Sequence, residues 1–162
     1  MTVRLAGLAV LVSLGAAGAV PLRAQGQDTA MTNAIEMLRT NVRANKAELI
    51  GRALALPDSQ ASVFWPLYRE YEADLMKLAD ERVVLIREYL TVYDTLSNAK
   101  AKDLMLRVFD LDARRVKLSR DQFNKFAKRL PAKTVAHFFQ LDGFLNRVID
   151  LQIAAALPEI QH

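Results

Sequence analysis

Glu70 with Asp74, four residues apart, and Asp110 with Asp112, two apart, are the carboxylate pairs closest to general acid and base chemistry in this 162-residue chain. Such a pair divides into proton donor and acceptor only where burial or mutual repulsion separates the two pKa values, so it needs an enclosing pocket. His137 and His162 are the only imidazoles, and cysteine is absent. That removes a Cys-His nucleophile and a histidine metal cluster. The single Glu-x-x-His, Glu159 to His162, is one short of the two that a di-iron helical bundle uses, and no Gly-rich phosphate loop or Gly-x-Ser-x-Gly elbow occurs. His137, beside Phe138 and Phe139, reads as a structural or surface histidine. Met31, Met37, Met76 and Met105 offer soft-metal donors, but methionines at these spacings usually fill cores. The chain is therefore expected to be no enzyme, with no cofactor and no metal. Its residue types point to binding.

Charge sharpens that expectation. Residues 58–99 hold eight acids and four bases, whereas residues 100–133 hold eleven bases and four acids. Neighbouring arms of opposite sign read in two ways. One is a solvated face crossed by ion pairs, each worth little. The other is a basic surface beside apolar side chains that captures anionic or unfolded polypeptide. The second reading places the contacts with clients or partners on Arg107, Arg114, Arg115, Lys117 and Phe126. Nucleic acid is not expected as a partner, because the chain carries an export signal and no aromatic-interleaved recognition motif.

That signal occupies residues 1–24: Arg4, an apolar run from Leu5 to Val20, then Pro-Leu-Arg-Ala-Gln. Cleavage after Ala24 and after Ala19 both fit. A retained anchor is the alternative, but the apolar run is shorter than the roughly 20 residues that span a bilayer. No stable membrane insertion is expected after cleavage. Of the formal net charge of +4, Arg4 and Arg23 supply two, so overall basicity says little about partners. A chain exported without cysteine is held by packing, by a partner or by both, and the bacterial periplasm is the expected compartment.

The elements that must carry these side chains are helices. After the signal only Gly26, Gly51 and Gly143 remain, and no β-branched alternation lasts a strand's length. Pro57-Asp58, Ser97-Asn98, Leu130-Pro131 and Leu157-Pro158 punctuate residues 25–162 into a single all-α domain of four helices near 30–55, 59–95, 98–129 and 132–156. Asp58 and Ser97 are candidate N-caps, and Pro131 suits a first helical position. Phe64, Leu67, Tyr71, Leu75, Leu78, Leu85, Tyr89 and Leu96 form one apolar stripe. Phe138, Leu141, Leu145, Val148, Ile149 and Ile153 form another. Both read as core.

A second helix of some 37 residues would span about 55 Å at 1.5 Å per residue. A compact ball of this chain length has a diameter of only roughly 37 Å. The expected architecture is accordingly an elongated antiparallel hairpin of the second and third helices. Because a thin hairpin buries little apolar surface, a homodimer is expected to cover what remains. Pro66 falls inside the second helix, and because the stripe continues in phase beyond it, a kink near Pro66 is expected instead of a stop, with Trp65 packed at the corner. Such a hairpin is expected to offer the carboxylate pairs no pocket.

Two short stretches carry a resemblance. Leu56-Pro57-Asp58-Ser59-Gln60 and Leu118-Ser119-Arg120-Asp121-Gln122 resemble the Leu-Thr-x-x-Gln signature of the Spy/CpxP family of small all-helical periplasmic proteins. Proline replaces threonine in the first copy and serine in the second, so the matched positions are Leu56, Gln60, Leu118, Ser119 and Gln122. The second copy also falls within a long helix. The resemblance implies an ATP-independent chaperone that holds non-native envelope proteins on a basic and partly apolar concave face of a curved dimer. An envelope-stress adaptor docking on a signalling partner is an alternative. The stretches Phe64 to Tyr68 and Phe138 to Gln152 are also similar to a broader group of exported helical proteins without assigned function, which implies a structural protein without client activity.

Overall fold

The computed structural model describes residues 45–160. The segment 1–24 expected to direct export, Met31, Met37, His162 and the first part of the helix expected over 30–55 lie outside them. The fold is all-α, with α1 (residues 45–54), α2 (Asp58–Val92), α3 (Asn98–Ala127) and α4 (Ala132–Ala156), and there is no strand among the described residues.

Local chemistry sets the boundaries. Ser97 caps α3, its Oγ accepting from the Lys100 N–H at 3.2 Å. Asp58, expected as the cap of α2, is instead its first helical residue. Pro57 takes the cap with an extended backbone, and its carbonyl accepts from the N–H groups of Gln60 and Ala61 at 2.9 Å each. Asp58 then sits in the first turn, where the helix dipole favours a negative charge. Pro131 likewise stands one position earlier than expected, its carbonyl accepting from the Val135 N–H at 3.1 Å. At the far end α2 tightens into a 3-10 turn, Tyr93–Thr95, before the Ser97 cap.

Ala55 closes α1 in the left-handed region, with φ 42° and its N–H bonded to the Gly51 carbonyl at 3.1 Å. Glycine usually holds this position, and a Cβ there costs on the order of 1 kcal/mol. Helix α2 continues through Pro66. Pro66 and Ser62 are both exposed, so water reaches the Ser62 carbonyl whose helical N–H partner the proline lacks.

The core divides into three clusters. The largest is aromatic: Phe64, Tyr68 and Tyr71 from α2, Phe126 from α3 and Phe138 from α4, closed by Ile50 of α1 and by Leu130. Phe138 lies at the centre, 5.0 Å from Phe64 edge-on and 5.3 Å from Phe126 in a stacked arrangement, spacings at which ring quadrupoles attract. Trp65 is half-buried at the α1–α2 corner, so close to Gly51 that an added Cβ would lie 3.4 Å from its ring. The other clusters are smaller and aliphatic: Val83, Ile86 and Leu90 with Ile153, and Leu85 with Leu104 and Leu111.

Ion pairs cross between α2 and α3. Glu70 meets Lys125, Glu81 meets Arg114 at 2.6 Å, and Glu88 meets Arg107 at 2.7 Å and also Lys100. Partner numbers fall along α3 as they rise along α2, so the two helices pair antiparallel.

Candidate functional site

The five side chains expected to form a binding surface do not share one. Phe126 is a correction: it is fully buried, stacked on Phe138 and edge-on to Phe64 and Phe139, and cannot meet a client. Its phase on α3 matches that of buried Gln122, not that of the outer residues. Arg107 and Arg114 face α2, where they line a shallow groove with Glu81, Val84 and Asp110, and both are held by carboxylates. Arg115 turns toward α4 and pairs with Asp150 at 2.8 Å. Lys117 pairs with Asp121 on its own helix. Hydrogen bonds from Lys100 and Arg107 hold the Glu88 carboxyl below its usual range, and those from Arg114 do the same for Glu81. Three of the four expected cations thus contact acids of a neighbouring helix, which is the ion-pair alternative the opposed charges allowed.

The five family-motif residues are distributed through the packing. Gln60 accepts from the Thr134 hydroxyl at 3.0 Å, joining α2 to α4, while Leu56 and Leu118 are half-buried against the aromatic cluster. Gln122 is buried within α3. Ser119 belongs to a polar cluster that the sequence did not single out.

In that cluster Lys46 of α1 lies 2.6 Å from both Asp142 and Glu72. The other Asp142 oxygen accepts from the Tyr71 hydroxyl at 2.8 Å and from the Asn146 amide at 3.0 Å. Burial, with the Asp142 charge second, pushes the Tyr71 phenol well above its usual range, so it keeps its proton and donates it to Asp142. Ser119, 3.1 Å from that hydroxyl, then serves as donor to the tyrosine oxygen. A serine whose hydrogen goes to a neutral phenol has no base to activate it. The cluster does not form a nucleophile; it ties all four helices together. Asp142 was readable in principle as an acid in phase with the buried stripe, four residues after Phe138 and three before Leu145.

A cleft does exist, contrary to the expectation of none. It holds about 110 Å³ between α2, α3 and α4 and is walled by aliphatic side chains including Leu75, Val83, Ile86, Ile149 and Ile153. Lys46 and Glu72 close one end. Arg82, Asp112, Arg115 and Asp150 line it elsewhere in a closed set of alternating charges. Every charge on its wall is matched by an opposite one. Of the two carboxylate pairs, Glu70 contacts Lys125 and Asp74 contacts Lys77, while Asp112 serves Arg82. Among the described residues no three His, Asp or Glu side chains converge as metal ligands, and no helix is long and apolar enough to cross a membrane.

No family model matches the chain, nor does any curated protein or solved structure. The surface itself therefore carries the reading. On the outer face of α3, Leu106, Phe109 and Val116 are 57%, 60% and 62% exposed, with exposed Ala113 between them. Arg120 continues this side of the helix toward its C-terminus and has no ion partner among the described residues. This stripe is where the basic helix and uncovered apolar surface coincide.

Proposed function

We propose that the protein is a periplasmic, ATP-independent chaperone-like binding protein that holds non-native polypeptide on the outer face of α3. The observation that carries this reading is the exposed row of Leu106, Phe109 and Val116. Three large apolar side chains on one helical face, each more than half uncovered, are what an unfolded segment's own apolar residues would meet. Arg120 would attract acidic client segments and speed encounter without adding much affinity. The resemblance to the Spy/CpxP family at Leu56, Gln60, Leu118, Ser119 and Gln122 supports the same reading. Arg107, Arg114 and Arg115, once their acids are counted, serve the scaffold that presents the stripe. No covalent step is involved. The test is suppression of client aggregation by the purified protein without ATP; lack of suppression at several-fold excess would remove the proposal.

A homodimer through the same stripe is a second reading with its own observation. Leu106, Phe109, Ala113 and Val116 fall at i, i+3, i+7 and i+10, the spacing of a coiled-coil seam. Sedimentation equilibrium separates the two readings: a tight dimer that disappears with Phe109→Ser would cover the stripe and leave it closed to clients.

A further inference from the structure

Helix α4 has an outer face that neither the core nor the proposed client stripe uses. Phe144, Val148 and Leu151 are 60%, 37% and 70% exposed and recur at i, i+4 and i+7, which places them on one side of the helix. Lys133 and His137 extend the same side toward the N-terminus, and Arg147 flanks it. All three are exposed. The helix contains only two acids, Asp142 and Asp150, and both turn inward, to Lys46 and to Arg115 with Arg82. Just before α4 the chain adds exposed Lys128 and Arg129.

We infer that this face of α4 docks on an anionic phospholipid surface, lying along it without crossing it. Charge decides the occupant. A second copy of the same face would bring a further set of bases, with no outward acid on α4 to pair them, in either orientation. The α3 stripe proposed for polypeptide is flanked by acids, Asp103 and Asp110, as well as bases, whereas the outer face of α4 carries bases alone, the match for a uniformly anionic surface. Phenylalanine and leucine enter between headgroups while lysine and arginine remain at the level of the phosphates, the arrangement of helices that lie in the interfacial plane. The face would orient the molecule at the membrane and leave the α3 stripe available.

Because the chain has no cysteine, a single environment-sensitive fluorophore can be placed at Leu151→Cys, and in a second protein at Val84→Cys on exposed α2. The full chain is titrated with vesicles of phosphatidylglycerol and phosphatidylethanolamine, then with neutral phosphatidylcholine vesicles. Residues 1–24 are common to both labelled proteins, so the position of the response reports on α4. A blue shift at 151 but not at 84, with anionic vesicles only, is the expected result. Adding Lys133→Glu and Arg147→Glu to the Leu151→Cys protein should weaken that response at least about tenfold. No shift at 151, equal shifts at both positions, or equal shifts with neutral vesicles would overturn the inference.

Discussion

The two ends of the α2–α3 pair are held by different physics. At the end where α2 begins and α3 finishes, five aromatic side chains from three helices stack within a sealed cluster. At the other end small aliphatic clusters sit beneath half-exposed ion pairs such as Glu81 with Arg114 and Glu88 with Arg107. The sealed end buries its largest side chains. The open end keeps Leu106, Phe109 and Val116 uncovered while its charges fix the spacing of the two helices. One end provides stability and the other provides surface.

Truncations should break this comparison most visibly. Phe138→Ala removes the ring at the centre of the aromatic cluster and should cost about 3–5 kcal/mol in urea unfolding, near the whole stability of a small domain. Leu111→Ala in the aliphatic cluster should cost about 2–3 kcal/mol. Equal losses would show that the ends are not built differently. Asp142→Ala comes next in size. It leaves Lys46 buried with Glu72 alone and takes the acceptor from Tyr71, a loss of about 3 kcal/mol on the scale of broken buried pairs. Asp142→Asn should recover part of it through the tyrosine bond, and equal losses would mean that the ion pair alone matters.

Ala55→Gly should act in the other direction. With φ at 42° the alanine Cβ is strained, and glycine should raise stability by roughly 0.5–1 kcal/mol, a shift resolved by the midpoint of thermal unfolding. The smallest effect belongs to the ion pairs. Glu81, Glu88 and Asp103 have folded-state pKa values held below their ordinary ones, chiefly by hydrogen bonds from Arg114 and Lys100. Their contribution is therefore present above the ordinary carboxylate range and is lost as pH falls through the lowered folded values. Protection of the amides at residues 81–107, relative to their intrinsic exchange rates, should fall in acid before protection around Phe138 does. Uniform loss of protection along the chain would contradict a division of labour between the ends.

Helix positions were legible because proline, the Ser97 cap and unbroken apolar stripes leave few alternatives, and α4 occupies the expected 132–156. The stripe through Phe64, Tyr71, Phe138 and Ile153 was readable as core for the same reason. Facing was harder. Phe126 on a basic helix resembles a client contact in sequence, but only the approach of Phe138 from α4 puts it inside. Val148 was read with the core stripe, yet it belongs to the outer face with Phe144 and Leu151 because it lies about 100° from Ile149 on the helix. The Lys46–Asp142–Tyr71–Ser119 cluster joins four helices across up to 96 residues of sequence, so no local pattern announces it. Arg107 and Arg114 looked free because their acids lie on the opposing arm.

The most direct test of the account compares three proteins in one client-aggregation assay without ATP: the native chain, Phe109→Ser with Val116→Ser, and Arg114→Gln. The account predicts that the native chain suppresses aggregation, that the double variant loses most of that suppression while retaining its helical circular dichroism, and that Arg114→Gln keeps it. Full suppression by the double variant, or none by the native chain, would contradict the assignment of client binding to the open face of α3.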